Sequence, residues 1–273
     1  MKIGTVVRGW LAILGLTVAM LAGAAVPPVP YGDNPAAGAF YAVRGMRMYC
    51  EVYGTGRPLL MIHGNGGSIA AFSENLPYFS QHYRAIVADS RAQGKSRDDS
   101  EAPLTFEGMA DDYAALLDQL HVSAAYVIGW SDGGIVALLL AQRHPEKVIK
   151  LAATGANIRV EAGAFAPGLW ADWQKDYAAR KDQPRTTAKE KNDWKLFLLD
   201  YREPNLADAD LKVVTCPALI ICGDHDVISI EHTVEIYRSL PHGALWVVPG
   251  SGHATLREHA GEFDRVVEGF FEK

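Results

Sequence analysis

Cysteine is scarce: the chain has three in 273 residues, an odd number that cannot all pair with one another. No C-x-x-C or comparable spacing occurs, so the signatures of a zinc site or a dithiol redox centre are missing. Cys216 and Cys222 bracket one apolar run. Read as a strand, at about 3.3 Å per residue, that run sets them roughly 20 Å apart, beyond disulfide reach. Cys50 has no favoured partner, and buried free thiols are expected. Positive charge is in deficit, with 26 Lys and Arg against 32 Asp and Glu for a net charge of −6. That balance excludes the basic face of an ordinary nucleic-acid-binding domain. Internal repeats and low-complexity segments are lacking, as is any long apolar run beyond residue 26. With 49% apolar residues, the composition is that of a globular protein and excludes a disordered, collagen-like or coiled-coil chain.

Residues 1–24 stand apart. Lys2 and Arg8 are their only charges, an apolar run covers 9–20, and Ala22-Gly23-Ala24 forms an A-x-A-like cleavage site. This is the pattern of a secretory signal peptide and implies a periplasmic or secreted protein. An uncleaved anchor is the alternative, since 9–26 is free of charge and near the lower length limit for a membrane span. Without Lys2 and Arg8 the net charge of −6 becomes −8. Residues 25–38 carry Pro27, Pro28, Pro30 and Pro35 and read as a linker.

From there, short apolar runs alternate with helical periodicity. Strands are expected at 45–53, 59–62, 83–88, 125–129, 148–153, 218–222 and 244–248. Helices are expected at 106–120, 135–142, 231–240 and 260–271. This alternation predicts an α/β fold, a mostly parallel sheet with helices on both faces. The core is assigned to 39–156 and 211–273. Residues 157–210 hold no convincing strand. The spacing of Trp170, Trp173 and Tyr177, and of Trp194, Phe197 and Leu198, predicts helices with one aromatic face. They are read as a helical cap inserted over the carboxyl edge of the sheet.

Chemistry concentrates at strand ends. Gly129-Trp130-Ser131-Asp132-Gly133 is a G-x-S-x-G motif lying between a strand and a helix, the context that makes the motif informative. Such a turn pushes a serine Oγ out of the sheet, and glycine tolerates the crowding two residues to either side. A serine hydroxyl needs a base, and the base needs an orienting acid. Strand 218–222 ends in Gly223-Asp224-His225-Asp226, and the next strand ends near Gly250-Ser251-Gly252-His253. Both lie at strand carboxyl ends, where open α/β sheets bind ligands. Ser131, Asp226 and His253 are therefore the candidate catalytic residues, with Asp224 as the competing acid. His63-Gly64-Asn65-Gly66-Gly67 follows another strand, and its backbone can supply an oxyanion amide from Asn65 beside that of Asp132.

The motifs HGNGG (63–67), DSRAQGKS (89–96), GWSDGG (129–134), GDHD (223–226) and GSGH (250–253) resemble the α/β-hydrolase superfamily over nearly all of residues 40–273. GWSDGG with LAATGAN (151–157) looks closest to the valacyclovir hydrolase-like branch. The resemblance implies an α/β-hydrolase fold with a mostly parallel eight-stranded sheet and a helical cap. It implies a serine hydrolase of small carboxylic esters, with no metal and no organic cofactor. In that branch the acidic residue after the nucleophile contacts a substrate amino group, and the matching residue is Asp132. The other reading of Asp132 is an acid placed at a helix N-terminus. Trp130, Asp132, Trp170 and Trp173 are the candidate substrate contacts. A lactonase, a C–C bond hydrolase or a cofactor-free haloperoxidase would share the triad, and a ligand receptor is the alternative outside enzymes. Ser131 stands where haloalkane dehalogenases and epoxide hydrolases carry Asp, which argues against both. The expected partner is a small-molecule ester, with no nucleic acid and no membrane beyond the anchor alternative, and the protein is expected to be a monomer or homodimer.

Overall fold

The computed structural model describes residues 29–273; the expected signal segment 1–24 and the start of the linker lie outside them. Eight strands form one sheet: β1 (Gly38–Val43), β2 (Met46–Tyr53), β3 (Arg57–Ile62), β4 (Tyr83–Ala88), β5 (Ala125–Trp130), β6 (Val148–Thr154), β7 (Ala218–Gly223) and β8 (Gly243–Val248). Their order is β1-β2-β4-β3-β5-β6-β7-β8. β1 and β2 pair antiparallel, as do β2 and β4; every other pairing is parallel. Six helices of ten or more residues are present among the described residues: α1 (Phe106–Gln119), α2 (Asp132–Arg143), α3 (Leu169–Arg180), α4 (Ala188–Arg202), α5 (Ile230–Ser239) and α6 (Ala260–Glu272).

The central strands show why the sheet is covered on both faces. Along β3, Leu60 and Ile62 enter one apolar cluster with α1 and α2 residues such as Tyr113 and Leu138. Leu59 and Met61 enter the opposite cluster with Phe263 and Phe271 of α6. Successive side chains of a strand point to opposite faces. A run of four apolar residues is therefore required when both faces are dry. Each large apolar side chain buried this way contributes about 1.5–3 kcal/mol.

β1 is the strand that the expected set omits. Its side chains are mostly part-exposed, Phe40 among them, so the apolar run that marks the central strands is missing. A two-residue turn makes it a strand: Arg44 and Gly45 take φ 44° and 83°, the positive values that the tight hairpin turn demands. The described part of the linker is also docked to the core. The fully buried Glu51 accepts from the amides of Gly32 at 2.7 Å and Asn34 at 2.8 Å. Between β6 and β7 lie α3 and α4, whose aromatic residues pack on one another. Tyr177 stacks on Tyr201 at 4.4 Å between centroids, and Trp194 on Phe197 at 5.0 Å.

The last helix is fixed by a buried polar contact. Asn75 Nδ2 donates to Asp264 Oδ1 at 2.7 Å and to the Leu256 carbonyl at 2.9 Å. Burial pushes the Asp264 carboxyl up to about 7, so the folded chain keeps a proton that the unfolded chain releases above about pH 4. Stability from this group is complete below about pH 4 and is lost as pH rises to about 7, by at most about 4 kcal/mol in all. Thermal unfolding from pH 5 to 8 checks this: wild type loses melting temperature relative to Asp264→Asn, which cannot ionise. A difference between the two that stays constant with pH refutes the assignment.

Candidate active site

A sharp turn joins β5 to α2. Ser131 occupies it with φ 56° and ψ −122°, a left-handed conformation that costs a non-glycine residue about 1–3 kcal/mol. Its amide is held by the Thr154 carbonyl at 2.8 Å. The flanking glycines are required by space. A Cβ on Gly129 would stand 2.1 Å from the Gly133 carbonyl oxygen, and one on Gly133 would stand 1.9 Å from that of Ile62. The chain therefore passes tightly against the end of β3, and the serine side chain projects beyond the carboxyl edge of the sheet.

Two loops meet it there. His253 follows β8, and its Nε2 lies 2.9 Å from Ser131 Oγ. Its Nδ1 lies 2.6 Å from Asp226 Oδ1. The Asp226 carboxylate is fully buried and also accepts from the Ile228 amide at 3.0 Å. Asp224 faces elsewhere. It accepts from the amides of Gly250 at 2.8 Å and Ser251 at 3.2 Å, and these donors lower its pKa. Asp224 thus shapes the turn that carries His253, while Asp226 touches the imidazole. Trp130 Nε1 donates to the His253 carbonyl at 2.8 Å, a second restraint on the same loop.

The turn after β3 presses on the serine from the other side, since a Cβ on Gly64 would stand 2.9 Å from Ser131 Cβ. His63 sits beneath this turn, fully buried. Its Nδ1 donates to the Gly64 carbonyl at 2.7 Å, and its Nε2 accepts from the Ser90 amide at 2.9 Å. Burial lowers its pKa, which keeps it neutral and structural. The Asn65 amide donates to no backbone carbonyl among the described residues. Asp132 is the first residue of α2, where an amide has no partner within the helix.

These groups open on a cavity of ≈360 Å³ lined by Ser131, His253, Asn65 and Asp132. Trp130 and Trp173 also line it, but Trp170 does not. That ring stacks on Tyr201 at 5.2 Å and lies 6.3 Å from Phe165, so it supports the wall without facing the cavity. Asp200 and Glu203, both from the α4 end of the chain, line the cavity as well, and neither was among the expected site residues. Asp200 stands one helical turn after the buried Leu196. A carboxylate repeating at the spacing of an apolar face is the signal that could have exposed it. Among the described residues, no group of three His, Cys, Asp or Glu is arranged to hold a metal ion.

The cavity's acids are not ordinary carboxylates. Burial, with Asp200 beside it, pushes Asp132 well above the usual range, and burial raises Asp200 to about 6. Burial thus favours the protonated form of Asp132, although a helix N-terminus favours negative charge. Desolvation outweighs the dipole here. Geometrically, the site holds a hydroxyl within reach of an imidazole that is oriented by a buried carboxylate. Such a group can transfer a proton from the hydroxyl as it attacks an electrophilic carbon. The turn's dependence on glycine is directly measurable: Gly133→Ala is expected to cost about 3 kcal/mol in denaturant unfolding, because its methyl meets backbone that cannot withdraw. A loss below about 1 kcal/mol, the low end for overpacking, would show that the turn has slack.

The α/β hydrolase fold family model matches residues 57–191. The serine hydrolase BPHL of Mus musculus is 28% identical over 261 residues, covering 90% of this chain and 90% of the relative. The 2-hydroxymuconate semialdehyde hydrolase of Pseudomonas sp. strain CF600 is 27% identical over 273 residues, covering 87% of this chain and 95% of the relative. The solved enol-lactonase from Burkholderia xenovorans LB400 matches with a TM-score of 0.68 at 20% identity, covering 86% of this chain and 100% of the other; that likeness bears on the fold. With this sheet order, the strand–serine–helix turn and a BPHL-like relationship over most of its length, the chain belongs to the α/β-hydrolase superfamily.

Proposed function

We propose that the protein is a serine hydrolase that cleaves carboxylic esters of small molecules through an acyl-enzyme on Ser131. The observation that carries this reading is the line of contacts from Ser131 Oγ to His253 Nε2 at 2.9 Å and from His253 Nδ1 to Asp226 Oδ1 at 2.6 Å. In the mechanism, Ser131 attacks the ester carbonyl while His253 takes its proton. The amides of Asn65 and Asp132 stabilise the oxyanion, and His253 then protonates the leaving alcohol. Water, activated by the same imidazole, releases the acid and restores the serine. Asp226 holds the imidazole in the tautomer that presents Nε2 as acceptor, and offsets its charge once protonated. The steps need no metal and no organic cofactor.

A second reading keeps the machinery and changes the bond. Relatives named as a 2-hydroxymuconate semialdehyde hydrolase and an enol-lactonase share the fold. The cavity admits a small lactone as readily as an ester. A panel of p-nitrophenyl esters, lactones and vinylogous diketones separates these readings by relative kcat/KM. A ranking led by the diketones would replace the ester assignment.

Two variants test the nucleophile and the base separately. Ser131→Ala is expected to abolish fluorophosphonate labelling and to lower p-nitrophenyl acetate turnover at least about 1,000-fold with the fold intact; labelling that persists removes Ser131 from its role. Gly155, at φ 63°, lies under the imidazole, and a Cβ there would stand 2.8 Å from His253 Cε1. Gly155→Ala is expected to push the ring from the serine and lower kcat about 100-fold, since misplacement near 1 Å costs that much. Unchanged kcat would place the base elsewhere.

A further inference from the structure

Asn65 and Asp132 belong to different elements, the turn after β3 and the start of α2. Their side chains nevertheless converge on one group. Asn65 Nδ2 donates to Asp200 Oδ1 at 2.9 Å and to the Leu196 carbonyl at 3.2 Å. Both acceptors stand one turn apart on α4. The Asp132 carboxyl lies near the same Asp200 carboxyl, which raises its pKa. Asp132 Oδ2 is buried and has no hydrogen-bond partner among the described residues, a costly arrangement for a carboxylate oxygen.

On one side the turn is held, since the Gly64 carbonyl accepts from His63 Nδ1 at 2.7 Å and from the Gly67 amide at 3.1 Å. Gly64 and Gly66 flank Asn65, and Gly66 sits at φ 64° with open space around its Cα. Glycine leaves the main chain free to rotate, so the anchor of the Asn65 side chain is a second restraint on the direction of this amide. That anchor is α4.

We propose that Asp200 is the positioning residue of the oxyanion hole: by holding the side chain of Asn65 against α4, it steadies the Asn65 amide beside Ser131. This inference rests on the acyl-transfer reading above. It assigns to α4, which supplies neither nucleophile, base nor acid, a part in transition-state stabilisation. If Asp200 served only to fasten α4 to the core, its loss would alter stability and KM, and kcat of the folded fraction would stay where it was.

The test uses p-nitrophenyl acetate as substrate and stoichiometric fluorophosphonate titration to count competent sites in each variant. Asp200→Ala is expected to lower kcat per titrated site by tenfold to 100-fold with KM within threefold. Removing an oxyanion donor outright costs more, about 100- to 1,000-fold. Asp200→Asn keeps an acceptor for Asn65 and supplies a donor to Asp132, and it is expected to regain at least tenfold over Asp200→Ala. Asn65→Ala removes the link while leaving the backbone amide, and it is expected to lower kcat similarly. The double variant Asn65→Ala/Asp200→Ala should fall no more than threefold below the worse single variant, because both break one chain of contacts. Wild-type kcat in folded Asp200→Ala, multiplicative losses in the double variant, or an Asp200→Asn no better than Asp200→Ala overturns the proposal. Should Asp200→Ala fail to fold, Asn65→Ala decides alone, and an unchanged kcat there overturns it. Failure of the underlying reading shows differently, as turnover that survives Ser131→Ala.

Discussion

The close crossing of the Ser131 turn over the end of β3 is the constraint from which the site follows. Backbone meets backbone there with no room for a methyl group at Gly129 or Gly133. That contact holds Ser131 in a left-handed conformation that an isolated chain would abandon. It also brings the turn after β3 against the serine. Hydrogen bonds alone would not enforce such a geometry. Steric exclusion does, because the parallel pairing of β3 with β5 fixes the distance between the two strand ends. The loops bearing Asp226 and His253 then need only leave β7 and β8, also parallel, at the same edge.

Around this rigid centre the electrostatics are divided. The imidazole has one buried carboxylate partner. Asp132, Asp200 and Glu203 also line the cavity, each with its pKa raised by burial. Among the described residues, no Lys or Arg lines this cavity. Desolvation shifts these acids toward the protonated form, so the cavity is less negative than a count of its carboxyls suggests.

The core was legible in the sequence where both faces of a strand are dry, as in LLMI of β3 or ALIIC of β7, since a run that short and wholly apolar leaves no polar side to turn to water. The site was legible where chemistry sits at strand ends within a few residues of glycine, as with Ser131, Asp226 and His253. Two kinds of feature escaped. β1 has mostly part-exposed residues and depends on a hairpin turn at Arg44-Gly45, so periodicity carries little signal. Asp200 reaches the site by the docking of α4, 135 residues along the chain from Asn65, a relation that no local pattern encodes. Trp170 shows the reverse limit: aromatic spacing on α3 marked an inward face, but not which ring would end at the cavity wall and which behind it.

The separation along the chain has a consequence for synthesis. Ser131 and His253 stand 122 residues apart, and the strand that delivers the imidazole is the last in sequence and the outermost in the sheet. A ribosome-bound chain presents its serine turn well before its histidine, and the imidazole joins it only after β8 has docked against β7. On the proposed mechanism the growing polypeptide is inert toward esters until that strand is in place. Competence then arrives in one late step at the sheet's edge.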